Sequence, residues 1–237
     1  MIEESVATTV RHLLESLPSG VTMIAAAKGR SVEQVRAAIR AGITCVGHNY
    51  VQDAEPMIPL VPEPVQWHMI GHLQRNKVGT AVQLFDCIQT VDSLPLAQEI
   101  EKRGAAMGLV VPRPRSGETL RPAAAGKVLS VFVEVNSGRE ANKTGVLPED
   151  VESLARQIGA LPHLRLQGLM TMGPRFGEPE DARTYFRLTR QLFEQLAAAQ
   201  IPNVEMRYLS MGMSNSYQVA IEEGANMVRL GTVLFGE

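Results

Sequence analysis

The chain has 237 residues, and its 45% hydrophobic and 20% charged fractions are those of an ordinary soluble globular protein. The formal net charge of −2 argues against a nucleic-acid binder that relies on bulk electrostatic attraction. Its apolar runs are all shorter than the roughly 20 residues of a membrane span. The first residues lack the form of a signal peptide. We therefore expect a cytoplasmic protein that binds neither nucleic acid nor membranes.

Apolar periodicity predicts an N-terminal helix followed by strands and helices in alternation. Residues 2–17 place Val6, Val10 and Leu13 at helical spacing, and Pro18 ends this helix. Ser31 and Gln34 form a capping-box pair at the start of the next helix. The apolar runs predict eight strands, at residues 21–27, 44–47, 67–71, 87–91, 128–135, 164–172, 206–211 and 227–234.

Eight strands with seven helices between them predict an α/β protein of one domain, residues 1–237, folded as a closed (β/α)8 TIM barrel with parallel strands. No helix is predicted after the eighth strand, so the N-terminal helix is expected to take its place. An open doubly wound sheet is the alternative, but no Gly-rich turn follows the first strand. Residues 104–127, rich in Gly, Pro, Ala and Arg, are predicted to form a long mobile surface loop. Cys45 and Cys87 lie within apolar runs and are expected to be buried thiols.

Polar residues follow several predicted strands, at the end where such barrels carry their functional groups. Lys28 follows the first strand, Ser210 and Ser214 follow the seventh, and Arg229 to Thr232 belong to the eighth. Hydroxyls and backbone N–H groups in the last two loops commonly hold a phosphate. An amine and a phosphate site on one rim indicate a phosphorylated aldehyde bound as a Schiff base.

Some of these residues also have ordinary structural interpretations. An apolar surrounding would favour the neutral, nucleophilic amine of Lys28, whereas spacing alone fits equally well a lysine with its ammonium in water. Arg229 is either a fixed cation for a ligand or the partner of a carboxylate such as Glu134. Ser214 is also a candidate N-cap for a helix at 217–223. His68 is expected to be a core histidine or, with Asn49, to face the ligand ring.

Familiar catalytic fingerprints are absent from the sequence. It has no Walker loop, no HExxH, no CxxC pair and no G-x-S-x-G. We therefore predict no metal site and no serine-hydrolase site.

Seven motifs, spread over most of the chain, resemble those of the pyridoxal-5′-phosphate homeostasis proteins, a family similar to the N-terminal domain of alanine racemase and also described as proline-synthetase co-transcribed. They are AAAK at 25–28, GHNYVQD at 47–53, WHMIGHLQRNK at 67–77, VN at 135–136 with KTG at 143–145, GLMTM at 168–172, SMGMS at 210–214 and VRLGT at 228–232.

The resemblance implies a barrel that binds pyridoxal 5′-phosphate (PLP) as a Schiff base on Lys28. It implies phosphate contacts from Ser214, Gly231 and Thr232, and it places Arg229 beside the pyridine nitrogen. Further candidate cofactor contacts at the strand ends are Asn49, His68, Met170 and Ser210. It also implies a role in intracellular PLP supply, with PLP-dependent apo-enzymes as candidate recipients. A covered parallel barrel is compatible with a monomer, which we expect.

The chain departs from the usual family pattern in three places. His48 and Asp53 stand where glutamates are usual, so a proton-shuttling role at position 48 loses its carboxylate. Gly29 and Arg30 follow the lysine in place of Thr-Lys or a similar pair. The sequence given ends at Glu237, a few residues short of many members.

Three functions remain open from the sequence. An arginine beside the pyridine nitrogen makes PLP a weaker electron sink than a carboxylate does. The racemases that this family resembles take a second base, a tyrosine, from a C-terminal β domain that we expect to be lacking here. We therefore favour a PLP carrier over a fold-type III PLP enzyme such as a racemase. A Schiff-base aldolase that uses Lys28 on a sugar phosphate is the third possibility.

Overall fold

The computed structural model describes residues 2–108, 128–174 and 177–236. The strands are Thr22–Ala26 (β1), Cys45–His48 (β2), Gln66–Met69 (β3), Cys87–Val91 (β4), Leu129–Val135 (β5), Leu164–Thr171 (β6), Val204–Ser210 (β7) and Met227–Leu230 (β8). The α-helices are Ile2–Ser16 (α1), Val32–Arg40 (α2), Val51–Met57 (α3), Val78–Leu84 (α4), Leu94–Ala106 (α5), Val151–Gly159 (α6), Arg183–Ala198 (α7), Tyr217–Glu222 (α8) and Thr232–Phe235 (α9). Short 3-10 turns lie at Ile58–Leu60, Arg75–Lys77, Pro148–Asp150 and Pro179–Ala182.

The strands pair in chain order as a parallel sheet, and β8 pairs with β1 to close a barrel. On β1, Ile24 stands opposite Cys45 of β2 and Arg229 of β8. This closure confirms the predicted (β/α)8 barrel and excludes the open sheet. Because all strands run in one direction, their carboxyl ends meet on a single rim.

Alternation of side chains along each strand divides the core into two parts. One face packs against the helices and forms the larger apolar cluster. The other face fills the barrel with Ile24, Cys45, Cys87, Phe132, Met170 and Met227. This inner cluster fills the barrel below the rim.

Helix α1 packs against α2 and α9, the helices that follow β1 and β8. Val6 and Val10 of α1 are buried in this contact layer. The position agrees with the predicted role of α1 in covering the last strand. The predicted length of that strand is wrong, since β8 ends at Leu230 and residues 232–235 form α9. A short buried helix has the same apolar run as a buried strand, and periodicity cannot separate the two.

Other local predictions have mixed outcomes. The capping box is confirmed, because Ser31 and Gln34 make both of its hydrogen bonds at the start of α2. The predicted loop at 104–127 begins too early, since α5 continues to Ala106. Residues 109–127 of that loop lie outside the described residues. None of the helices in the described ranges is long and apolar enough to cross a membrane.

Candidate functional site

A cleft of about 750 Å³ opens at the rim of the barrel, where β1, β7 and β8 end. It brings together residues from distant parts of the chain, among them Lys28, Ser214 and Arg229. The full lining consists of Ala26, Lys28, Arg30, Asn49, Ile70, Met172, Met213, Ser214, Asn215, Arg229, Gly231, Thr232 and Val233. Six of the nine predicted cofactor contacts therefore share one cavity.

Lys28 stands on the wall of this cleft and is exposed. Its Nζ lies 5.7 Å from the centroid of the Tyr50 ring. The next residue, Gly29, has a φ of 69°, a left-handed conformation that turns the chain sharply away from the rim. The expected apolar surrounding is wrong, because β1 ends at Ala26 and the lysine lies beyond it. Lys28 is therefore accessible to a ligand that enters the cleft.

Ser214 joins the loops that follow β7 and β8. Its Oγ accepts hydrogen bonds from the N–H groups of Gly231 and Val233, both at 3.3 Å. The predicted N-cap role for Ser214 is wrong, since Ser216 holds the N-cap position of α8. A Cβ placed on Gly231 would meet atoms of Ala26 at 3.5 Å and beyond, and would therefore stand in the cleft. Hydroxyls and N–H groups at this turn suit an anion.

Arg229 lies at the base of the cleft and is only 5% exposed. Its NH1 donates to Ser210 Oγ at 2.7 Å, and its NH2 donates to the Thr171 carbonyl at 2.8 Å. Burial lowers the pKa of Arg229 to about 10, and the charge of Glu134 opposes this shift. The guanidinium thus remains charged at neutral pH.

Glu134 does not form the ion pair considered as an alternative for Arg229. Its Oε1 accepts a hydrogen bond from Thr144 Oγ1 at 2.8 Å, and its Oε2 has no hydrogen-bond partner among the described residues. Burial raises the pKa of Glu134. Within the described ranges no carboxylate lies at ion-pair distance from Arg229. A buried cation without a direct carboxylate partner favours the interpretation as a ligand contact.

Three predicted cofactor contacts lie below the cleft and do not line it. His68 and Ser210 are fully buried in a polar series beneath Arg229, and Met170 packs in the inner cluster. Met172 lines the cleft in place of Met170, because β6 continues to Thr171 and brings the next inward-facing residue to the rim. Gly71 has no room for a Cβ against the backbone of Asn49, and this close contact fixes the loop that carries Asn49.

The sequence interpretation also missed Arg30, which lines the cleft, and Gln89, which lies below it. Arg30 lines the cleft, donates from NH2 to the Gly236 carbonyl at 2.6 Å and lies 5.5 Å from the Phe235 ring centroid. Gln89 of β4 is fully buried and bonds both His68 and Ser210. The available signal for Gln89 was an amide in the middle of an apolar strand, since buried polar groups need partners.

His48 is fully buried beside Trp67, with ring centroids 5.7 Å apart. Neither ring nitrogen has a hydrogen-bond partner among the described residues. Burial lowers the pKa of His48 to about 4, although the charge of Asp53 acts in the opposite direction. This residue therefore contributes nothing to the cleft and belongs to the packing under α3.

The amino-acid sequence is similar to those of known proteins over most of its length. The family model for the alanine racemase N-terminal domain matches residues 5–237 of this chain. The chain belongs to this family. Within it, the pyridoxal phosphate homeostasis protein of Aquifex aeolicus is 37% identical over 216 residues, covering 91% of this chain and 86% of that protein. The protein of the same name from Pseudomonas aeruginosa is 34% identical over 242 residues, covering 99% and 95%.

A solved structure supports the same relationship. PipY of Synechococcus elongatus, with PLP bound, superimposes with a TM-score of 0.81 at 28% sequence identity. The match covers 98% of this chain and 100% of PipY. The resemblance that the motifs indicated is thereby confirmed.

Proposed function

We propose that this protein binds PLP as a Schiff base on Lys28 and serves in intracellular PLP homeostasis. One observation carries the proposal: a single cleft joins an accessible lysine, an anion-binding turn and a buried arginine that has no carboxylate at ion-pair distance among the described residues. Relatives named pyridoxal phosphate homeostasis protein, and PipY with PLP bound, support it.

Three chemical groups of PLP have suitable partners in the cleft. Ser214 and Thr232 offer hydroxyls to the phosphate, and Gly231, whose N–H is bonded to Ser214 Oγ, lets the group approach the backbone without a side chain in the way. Arg229 offers a fixed donor to the pyridine nitrogen from the base of the cleft. When bound, PLP supplies an aldehyde for the amine of Lys28 and a ring that can accept electrons.

The charge of Arg229 favours a carrier over a catalyst. Its pKa of about 10 keeps the guanidinium protonated, so that it donates a hydrogen bond and does not transfer a proton to the ring nitrogen. An unprotonated pyridine is the weaker electron sink. Among the described residues that line the cleft, the titratable side chains are Lys28, Arg30 and Arg229. A racemase would need a further base on the opposite face of its substrate.

We also propose that the protein is a cytoplasmic monomer that passes PLP to apo-enzymes. The closed barrel offers no open strand edge for pairing with a second chain. The accessible position of Lys28 leaves the Schiff base open to a recipient or to an incoming amine. Light scattering at several concentrations measures the mass, and a concentration-dependent dimer would contradict the monomer.

A transfer assay tests the carrier function. The PLP-loaded protein is freed of excess cofactor and mixed with a PLP-dependent apo-enzyme, whose recovered activity reports transfer. We expect recovery that follows the loaded PLP, and no recovery from Lys28→Ala treated in the same way. The exposed Lys102 on α5 provides the matched control, since Lys102→Ala should behave as the parent protein.

The competing activities have their own readouts. Deuterium incorporation at the Cα of amino acids, dependent on Lys28, would favour the racemase. A colourless protein that PLP does not colour, but that borohydride traps with a sugar phosphate, would favour the aldolase. Either result would overturn the carrier proposal.

A further inference from the structure

Beneath the cleft, four buried side chains from four different strands form a continuous series of hydrogen bonds. Arg229 NH1 on β8 lies 2.7 Å from Ser210 Oγ on β7. Ser210 Oγ lies 2.7 Å from Gln89 Oε1 on β4, and Gln89 Nε2 lies 2.7 Å from His68 Nδ1 on β3. Ser210, Gln89 and His68 are fully buried. The series crosses the barrel interior, since β4 and β7 are not neighbours in the sheet.

The hydrogen-bonding capacity of Arg229 and the contacts of the Gln89 amide together assign a direction to each bond in this series. A guanidinium can only donate, so Ser210 Oγ must accept from Arg229. The Ser210 proton then goes to an acceptor, which is the carbonyl oxygen of Gln89. This leaves the amide nitrogen of Gln89 to donate, and its second contact, Met227 Sδ at 3.3 Å, is also an acceptor. Nδ1 of His68 therefore accepts a hydrogen bond from the Gln89 amide.

The series limits how Arg229 can move. Its NH2 is held separately by the Thr171 carbonyl at 2.8 Å. Two fixed acceptors on different strands define the plane of the guanidinium. Preorganised donors bind a ligand more tightly because no ordering remains to be done at binding.

We propose that Ser210, Gln89 and His68 are positioning residues that hold Arg229 as a fixed donor for the ring nitrogen of the bound cofactor. This inference rests on the proposed PLP function and deepens it. The series sets both the affinity for PLP and the electronic state of its ring. It also explains why His68 and Ser210 are polar although they lie below the cleft.

A second pair in the barrel provides a matched control. Ser130 Oγ donates to Gln167 Oε1 at 2.7 Å, and both residues are buried at 4% exposure. These two strands, β5 and β6, are neighbours, and in the described part of the chain no hydrogen bond joins the pair to Arg229. Gln89→Leu and Gln167→Leu thus remove the same chemistry from two interior positions.

The experiment measures PLP affinity by absorption titration, the visible spectrum of the bound cofactor between pH 6 and 9, and the thermal stability of the apoprotein. We expect both leucine variants to lose similar stability. Only Gln89→Leu should bind PLP about tenfold more weakly and show a changed spectrum. Gln89→Glu keeps an acceptor for Ser210 and should recover most of the affinity. Equal affinity and spectra in Gln89→Leu and Gln167→Leu would overturn the proposal.

Nitrogen NMR of the apoprotein provides an independent test that needs no cofactor. We expect an unprotonated Nδ1 on His68 in the parent protein, and a protonated Nδ1 in Gln89→Glu, whose carboxylate can only accept. A protonated Nδ1 in the parent protein would refute the direction of the series. If Gln89→Leu fails to fold, the NMR spectra of the parent protein and of Gln89→Glu still test the proposed direction of the hydrogen bonds. Failure of the proposed function is distinct, because the parent protein itself would then show no band with PLP.

Discussion

The two serine–glutamine pairs of the barrel are alike in chemistry and differ in what they connect. Each places a serine Oγ 2.7 Å from a glutamine Oε1 in a buried interior. Ser130 and Gln167 lie on adjacent strands and satisfy each other locally. Ser210 and Gln89 join strands on separate parts of the barrel and continue to Arg229. The two pairs thus have the same burial and the same chemistry, and only the second is connected to a residue of the cleft.

The largest expected effect on PLP affinity comes from removing Arg229, the cation to which Ser210 and Gln89 are connected. Arg229→Leu should bind PLP about a hundredfold more weakly, since a hydrogen bond to a charged group contributes up to about 3 kcal/mol. Arg229→Lys keeps a charge without the two-point fixation and should lie between this variant and the parent protein. Absorption titrations with PLP provide the comparison. Unchanged affinity in Arg229→Leu would show that the series does not serve the cofactor.

His48 is a third kind of buried polar side chain, because it belongs to neither serine–glutamine pair and does not line the cleft. Its folded-state pKa of about 4 lies below the ordinary value of 6.5, so in this range the unfolded chain takes up a proton that the folded chain does not. The free energy of unfolding should therefore fall as the pH drops through this window, by about 2 to 3 kcal/mol near pH 4.5. His48→Leu should lack this loss and leave PLP binding unchanged.

Urea unfolding at pH 7 and at about pH 4.5 measures this difference. A parent protein and His48→Leu variant with the same pH dependence would contradict the assignment. Greatly weakened PLP binding in the variant would place His48 in the site, against its position under α3.

The two serine variants are expected to have the smallest effects, and they compare the two pairs by the same substitution. Ser210→Ala and Ser130→Ala should each lower the free energy of unfolding by about 1 kcal/mol, because each removes one buried hydrogen bond. Only Ser210→Ala removes an acceptor of Arg229, and only this variant should bind PLP about tenfold more weakly. Parallel urea unfolding curves and PLP titrations measure both quantities. Equal PLP affinities would mean that the two pairs have the same, purely structural role.

The sequence allowed the barrel to be predicted because each strand and helix has its own local period. It also allowed Lys28, Ser214, Arg229, Gly231 and Thr232 to be grouped at one rim, since parallel strands end together. The sequence did not predict how far below the rim each of these side chains lies. Errors of one or two residues at the strand ends misplaced Met170 and Met172 relative to the cleft.

Contacts between strands that are distant along the chain could not be predicted from the sequence either. Gln89 and Ser210 are separated by 121 positions, and no local pattern relates them. The exposure of Lys28 depends on where β1 ends and on the left-handed turn at Gly29. These features follow from the closure of the barrel, which local periodicity does not describe.

The most direct test of the central claim is the absorption spectrum of the protein with PLP, before and after borohydride, beside Lys28→Ala. We predict a visible band that reduction abolishes, and a reduced PLP adduct that peptide mass analysis places on Lys28. Lys28→Ala should show neither. A protein that PLP does not colour, or an adduct that forms equally in Lys28→Ala, would contradict the account.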